Sequence, residues 1–141
     1  MKRPESVLVV VTTEANEVLL LRRRDPPDFW QSVTGSLEWG ESPLAAARRE
    51  LFEETGLFGD ANLEDTGIIN EYEILPAWRE KYAADVHRNR EHVFHLRLRE
   101  IMEVRLNPEE HVEHRWLPAA EAVRLASSRT DREAIHLLTR S

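Results

Sequence analysis

Hydrophobic positions along this chain follow two rhythms, and the switches between them lay out the elements. Val7 to Val11 (VLVVV) is an unbroken, mostly β-branched run, and it predicts a buried strand. Glu17 to Arg23 (EVLLLRR) predicts its hairpin partner, joined through a turn at Thr13–Asn16. The following RRRDPPD ends the pair, because two prolines cannot continue a ladder, and a short strand is expected at Gln31–Thr34. From Ser42 the rhythm becomes helical. Ser42 suits an N-cap, Pro43 the first helical position, and Gly56 a C-terminal stop, with Leu44, Ala47 and Leu51 on one inward face. Downstream, 67–75 and 91–99 predict strands separated by a polar, aromatic-bearing connection. A short strand at 115–117, a helix at 118–126 and a last helix at 131–139 follow, with Ala134, Ile135 and Leu138 inward. Strands interspersed with helices predict a mixed α/β (α+β) domain.

Composition narrows the partners. The 141 residues suit a single domain spanning 1–141, without repeats or a linker. There are no cysteines, which excludes disulfides and thiolate metal sites and agrees with a cytoplasmic setting. A formal charge of −7 argues against a nucleic-acid polymer or an anionic membrane as partner. The apolar run near the start is too short for a signal-peptide core or a membrane span. Phosphates remain open to an acidic protein if cations stand between the charges.

Glu50, Glu53 and Glu54 supply that possibility. At i, i+3 and i+4 they share a helix face, with Cβ atoms roughly 5–6 Å apart. Alone, such a triplet reads most simply as a solvated acidic face. Three anions so placed repel one another, and a hard divalent cation such as Mg2+ relieves the repulsion while binding substrate phosphates. The triplet also sits inside a longer pattern. Gly35, Glu41, Arg49, Glu50, Leu51, Glu53, Glu54, Gly56 and Leu57 fit G-x5-E-x7-R-E-U-x-E-E-x-G-U, where U is aliphatic, over residues 35–57.

That pattern is the Nudix box, and the chain resembles the Nudix hydrolase family. The resemblance implies an α/β/α sandwich with a mixed sheet, and hydrolysis of a nucleoside diphosphate linked to a further group. It implies Mg2+, with Mn2+ as a substitute, held by Glu50, Glu53, Glu54 and the Gly35 carbonyl. Glu41 would brace the loop or an outer metal shell, and Arg49 would hold a neighbouring carboxylate in its rotamer. The loop departs from the common P-G-G, reading Thr34-Gly35-Ser36. KRP before the first strand, RRDPPDFWQSVTGS before the box and EEHVEHRWL late in the chain resemble one branch, the bacterial dihydroneopterin triphosphate pyrophosphohydrolases. That branch implies release of pyrophosphate from a pteridine triphosphate or dATP in folate synthesis. Other Nudix substrates, among them oxidised nucleotides, sugar nucleotides and RNA 5′ ends, share the box, as would a nucleotide-binding Nudix domain without catalysis.

Residues outside the box complete the expected site. Glu110, on a loop, is favoured over Glu109 as a further metal ligand. Arg23, at a strand end, and Lys2 suit phosphate recognition, and the Thr34 hydroxyl is expected to donate to substrate. Trp30, Tyr72, Trp78 and Tyr82 are candidates to stack on a heterocycle, whereas Phe94 and Trp116 are expected in the core. The six histidines lack zinc-ligand spacing and read as surface or core. No serine or cysteine nucleophile is indicated, so water is the expected attacking group. The sequence leaves open which box glutamate takes the proton, and the oligomeric state.

Overall fold

The VLVVV run lies at the centre of the sheet in the computed structural model, which describes residues 1–140. Strand β1 (Glu5–Thr13) is flanked by β6 (Arg88–Leu98) in parallel and by β4 (Val33–Ser36) antiparallel. β2 (Glu17–Arg23) meets β1 at the hairpin base, where Asn16 takes a positive φ of 62°, then pairs with β7 (His111–Pro118) and β3 (Trp30–Gln31). β5 (Leu63–Glu73) forms an edge against β6. Among the described residues β1–β6 is the one parallel pairing, so the sheet is mixed. The expected strand at 31–34 is two strands interrupted at Ser32, so that β3 adds to β2 while β4 crosses to β1.

Alternation along β1 builds two cores. Val7, Val9 and Val11 face helix α1 (Pro43–Thr55), while Leu8 and Val10 face α2 (Ala119–Leu125) and α3 (Arg129–Leu138) on the other side. The result is three layers, α/β/α. Helix α1 has the expected ends. Ser42 Oγ accepts from Ala45 N at 3.2 Å, and Gly56 takes the left-handed conformation (φ 76°) that stops the helix. Its inward face differs by one position from the expectation. Ala46, Ala47 and Leu51 are buried, whereas Leu44 is exposed. In α3, Ala134 and Ile135 are buried and Leu138 packs at the margin of the second core. A 3₁₀ segment, Pro76–Lys81, occupies the connection between β5 and β6.

Candidate active site

Capping at Ser42 fixes the register of α1, and that register turns Glu50 and Glu54 toward β4. Glu50 closes on Gly35 so tightly that a Cβ there would lie 2.2 Å from Glu50 Cδ. Only glycine leaves room for that carboxylate. Arg49 holds the arrangement from the next position. Its Nε and Nη2 donate to Glu41 Oε2 and Oε1 at 2.9 and 2.8 Å, and Nη1 donates to Glu50 Oε1 at 2.7 Å and Glu53 Oε2 at 3.3 Å. Nη2 also donates to the Ser36 carbonyl at 3.1 Å, which ties the helix to the end of β4. Glu41 returns to its own loop by accepting from Glu38 N at 2.9 Å. Hydrogen bonding from Arg49, more than any other contact, holds the Glu41 carboxyl down at about 2, and the same bond raises the pKa of Arg49. One guanidinium thus positions three carboxylates.

Glu54 is the anomaly. It is 1% exposed, and neither carboxylate oxygen has a hydrogen-bond partner. Burial, then the neighbouring Glu50, pushes its pKa well above the ordinary carboxylate value. A buried carboxylate without donors needs a proton or a cation. Ligand atoms of Glu54, Glu110 and His111 lie within 4.8 Å of one another. Glu110 reaches this point through a turn in which Glu110 N and His111 N both donate to Asn107 O (3.1 and 2.9 Å), while Arg24 N donates to Glu110 O at 2.8 Å. Burial, then Glu50, raises the Glu110 pKa as well. Glu109 instead has its amide on Asn107 Oδ1 at 3.1 Å, and of the two exposed neighbours only Glu110 brings a carboxylate oxygen to Glu54 and His111. The orphaned Glu54 oxygens, the crowding of Glu50 and Glu110, and the glycine cradle all fit a divalent cation. Glu53 is half-exposed at the rim, held by Arg49.

His111, read from the sequence as surface or core, is a core residue, and its part of the core adjoins the site. It is buried beside Glu54, with Nε2 at 3.9 Å from Glu54 Oε1 and 3.1 Å from the Gln31 side-chain amide. Burial, then the charge of Arg23, lowers its pKa to about 4, so it is neutral at pH 7 and no ion pair forms. Its only sequence signal was adjacency to Glu110. Phe94 is fully buried and Trp116 packs against the first core, as expected.

Thr34 departs from expectation. Its hydroxyl donates to Val7 O at 2.8 Å, so the proton meant for a substrate holds β4 to β1 instead. Trp30 is also a correction. It is 7% exposed, sits in the second core and carries the Arg115 guanidinium 4.7 Å from its ring centre, so no face is free for stacking. Trp78 and Tyr82, by contrast, flank the cations. Arg23 lies 5.6 Å from the Trp78 ring centre and Lys2 Nζ 5.7 Å from that of Tyr82. Tyr72 accepts from Asn89 Nδ2 at 3.0 Å on the sheet surface. The charges of Glu50 and Glu110 act on Lys2, and those of Arg23 and Lys2 on Glu110, so both expected cations lie beside the acidic cluster, while Lys81, a residue the sequence reading passed over, accepts at its carbonyl from Lys2 N at 2.9 Å.

Residues 2–138 match the NUDIX domain. The chain is 42% identical over 140 residues to the dihydroneopterin triphosphate diphosphatase of Escherichia coli K12, covering 95% of this chain and 91% of that protein. Identity to the Haemophilus influenzae protein of the same name is 40% over 140 residues, covering 95% and 86%. The fold overlays the solved structure of the E. coli dihydroneopterin triphosphate pyrophosphohydrolase with a TM-score of 0.91, covering 98% of this chain and 96% of that one. Among the described residues no helix is long and apolar enough to cross a membrane.

Proposed function

That the chain belongs to the NUDIX domain family is the premise from which we propose that it hydrolyses dihydroneopterin triphosphate, and dATP, to the monophosphate and pyrophosphate. Members of the family typically depend on a divalent metal. The observation that carries the reading is Glu54, a fully buried carboxylate with two unpartnered oxygens at the meeting point of α1, β4 and the Glu110 turn. Mg2+, or Mn2+ in its place, would be held by Glu50, Glu54 and Glu110, with Glu53 and the Gly35 carbonyl alongside. When bound, such an ion neutralises charge on the phosphoryl oxygens and acidifies a water.

The chain's own residues supply the rest. Arg49 holds Glu50 and Glu53 in fixed rotamers, so the acidic face is organised before substrate arrives. Water adds at phosphorus and gives up a proton to a carboxylate of the cluster, the anhydride bond breaks, and the bridging oxygen leaves with the bonding pair, which adds one negative charge to the departing pyrophosphate. Arg23 and Lys2, beside the acidic cluster, would take up that charge. His111, neutral and buried, keeps water from the back of Glu54.

A panel run in Mg2+ tests the assignment. Dihydroneopterin triphosphate, dATP, an oxidised guanine nucleotide, a sugar nucleotide and a 5′-triphosphorylated RNA are each scored for pyrophosphate and monophosphate. Dihydroneopterin triphosphate is expected to give the highest kcat/KM, with pyrophosphate as product. No pyrophosphate from either of the first two substrates would refute it.

A further inference from the structure

Residues 1 to 3 are fastened at every position. Trp39 Nε1, on an indole that is 69% exposed, donates to Met1 O at 3.0 Å. Lys2 N donates to Lys81 O at 2.9 Å, and Lys2 Nζ lies 5.7 Å from the Tyr82 ring centre. Arg3 Nη1 donates to the carbonyls of Glu38 and Glu41, both at 3.0 Å, and its Nη2 pairs with Glu5 at 2.8 Å. The segment therefore bridges the Glu38–Glu41 loop, whose Glu41 carries the Arg49 network, to the 3₁₀ segment ending at Lys81. Arg23 is drawn to the same 3₁₀ segment through Trp78.

The like charges of Lys2, Arg23 and Lys81 repel, and Glu50 and Glu110 offset that repulsion only in part. Lys2 is joined to Lys81 through the backbone and Arg23 reaches the same 3₁₀ segment through Trp78, and among the described residues none of the three has a carboxylate within ion-pair distance. Partial burial, then the positive charges of Lys81 and Arg23, lowers the Lys2 pKa, which agrees with cations crowding one point. Lys2 and Arg23, each held over a ring, with Lys81 tied to Lys2 through the backbone, match a polyanion with charge spread over several oxygens.

We propose that Lys81 joins Lys2 and Arg23 in a three-cation clamp for the outer phosphates of a triphosphate, and that Trp39 and Arg3 are positioning residues that hold the Lys2 arm in the clamp. The inference rests on the triphosphate reading of the site and adds how that site distinguishes a triphosphate from shorter chains. Each cation faces a charge that a diphosphate presents less of, so losing one weakens long-chain binding most.

Calorimetric titration of the full chain with inorganic tripolyphosphate and with pyrophosphate, in Mg2+, tests it apart from catalysis. Lys81→Met is expected to raise the Kd for tripolyphosphate ~10-fold or more, and that for pyrophosphate less, since a charge-assisted contact of this kind is worth about a factor of ten. Lys81→Arg should restore binding to within ~3-fold, and the charge-matched control Arg97→Gln, an exposed residue of β6, should leave it unchanged. Trp39→Phe keeps the ring and deletes the donor. It should weaken tripolyphosphate binding and raise KM for the triphosphate with kcat nearly kept, whereas a merely structural role would lower Tm and leave Kd alone. An unchanged Kd in Lys81→Met, or equal loss for both anions, overturns the clamp, as does failure of the wild type to bind tripolyphosphate. Normal Lys81-dependent binding without hydrolysis of dihydroneopterin triphosphate would instead refute the substrate assignment alone.

Discussion

Gly35→Ala isolates the contact on which the acidic cluster depends. Gly35 does not take a positive φ, so alanine brings no backbone strain. The added Cβ would stand 2.2 Å from Glu50 Cδ and 2.4 and 2.5 Å from its two oxygens. Ordinary contact begins near 3.4 Å, so the Glu50 carboxylate must retreat by about 1 Å or more. Glu50 is the flexible end of a side chain, so the protein can absorb the retreat by loosening the 2.7 Å bond from Arg49. That loss is worth about 1 kcal/mol for a partly exposed charged pair, and the smaller unfolded-state entropy of alanine offsets roughly 0.4–1 kcal/mol of it. Stability should therefore change by less than ~1 kcal/mol. Activity has no such offset, because a misplacement of about 1 Å in a catalytic group costs on the order of 100-fold. Steady-state pyrophosphate release across a Mg2+ titration, beside thermal melts of the same preparations, reads both quantities. Gly40→Ala is the converse comparator, since Gly40 has φ 84° with nothing within 4 Å of its Cβ position, and it should lose stability ahead of activity. A Gly35→Ala enzyme within ~3-fold of wild-type kcat/KM would show that Glu50 need not lie against this glycine, and would remove it from the metal set.

Four further outcomes follow from the geometry. Glu54→Gln should cut kcat by at least ~100-fold with the fold retained, and Glu110→Ala should raise the Mg2+ requirement while Glu109→Ala changes little; both are read by Mg2+-dependent kinetics, and equal effects at 109 and 110 would count against the Asn107 turn as the selector. Thr34→Val should lower stability by about 1 kcal/mol in denaturant melts and leave KM within ~3-fold, because the hydroxyl serves Val7 O; a KM rise of ~10-fold would return it to the substrate. His95 is 1% exposed and bonded to Thr12 Oγ1 at 2.7 Å, and burial, then Arg97, against an opposing pull from Glu64, lowers its pKa to about 4. Between about pH 6.5 and 4 the unfolded chain therefore takes up a proton that the fold refuses, so this group lowers stability as pH falls, and His95→Gln should make melts recorded across that window less steep in pH, His111 keeping its own like contribution.

What could be read in advance depended on how far each interaction reaches along the chain. Helix α1 was legible to the residue at both ends, because Ser42, Pro43 and Gly56 act within one turn of themselves. The shared face of Glu50 and Glu54 is equally local. Strand β1 was legible because a run of five apolar residues has few alternatives. Partners joined across the sheet were not. The Thr34 hydroxyl is paired with a carbonyl 27 positions away, and nothing in VTGS says that β4 lands on β1 and not on β2. Trp30 and Trp78 are indistinguishable by residue type. Only the register of β3 on β2 and the approach of Arg115 bury the first, while the 3₁₀ turn leaves the second beside Arg23.

The same reasoning explains why Lys81 went unseen although Lys2 did not. Neither lysine has a local signature, and Lys2 drew notice only through the KRP that precedes β1. Their meeting is created by a parallel β1–β6 pairing, which sets Arg90 N on Pro4 O and so brings the segment before β6 alongside residues 1 to 3. A parallel pair demands a long crossover, and here that crossover carries α1 with its glutamates, then β5, then the 3₁₀ segment. One topological choice therefore brings both the acidic helix and the segment carrying Lys81 within reach of residues 1 to 3. The charges that a triphosphate and its metal must satisfy are assembled by the connectivity of the sheet, from residues whose types alone would pass as ordinary surface.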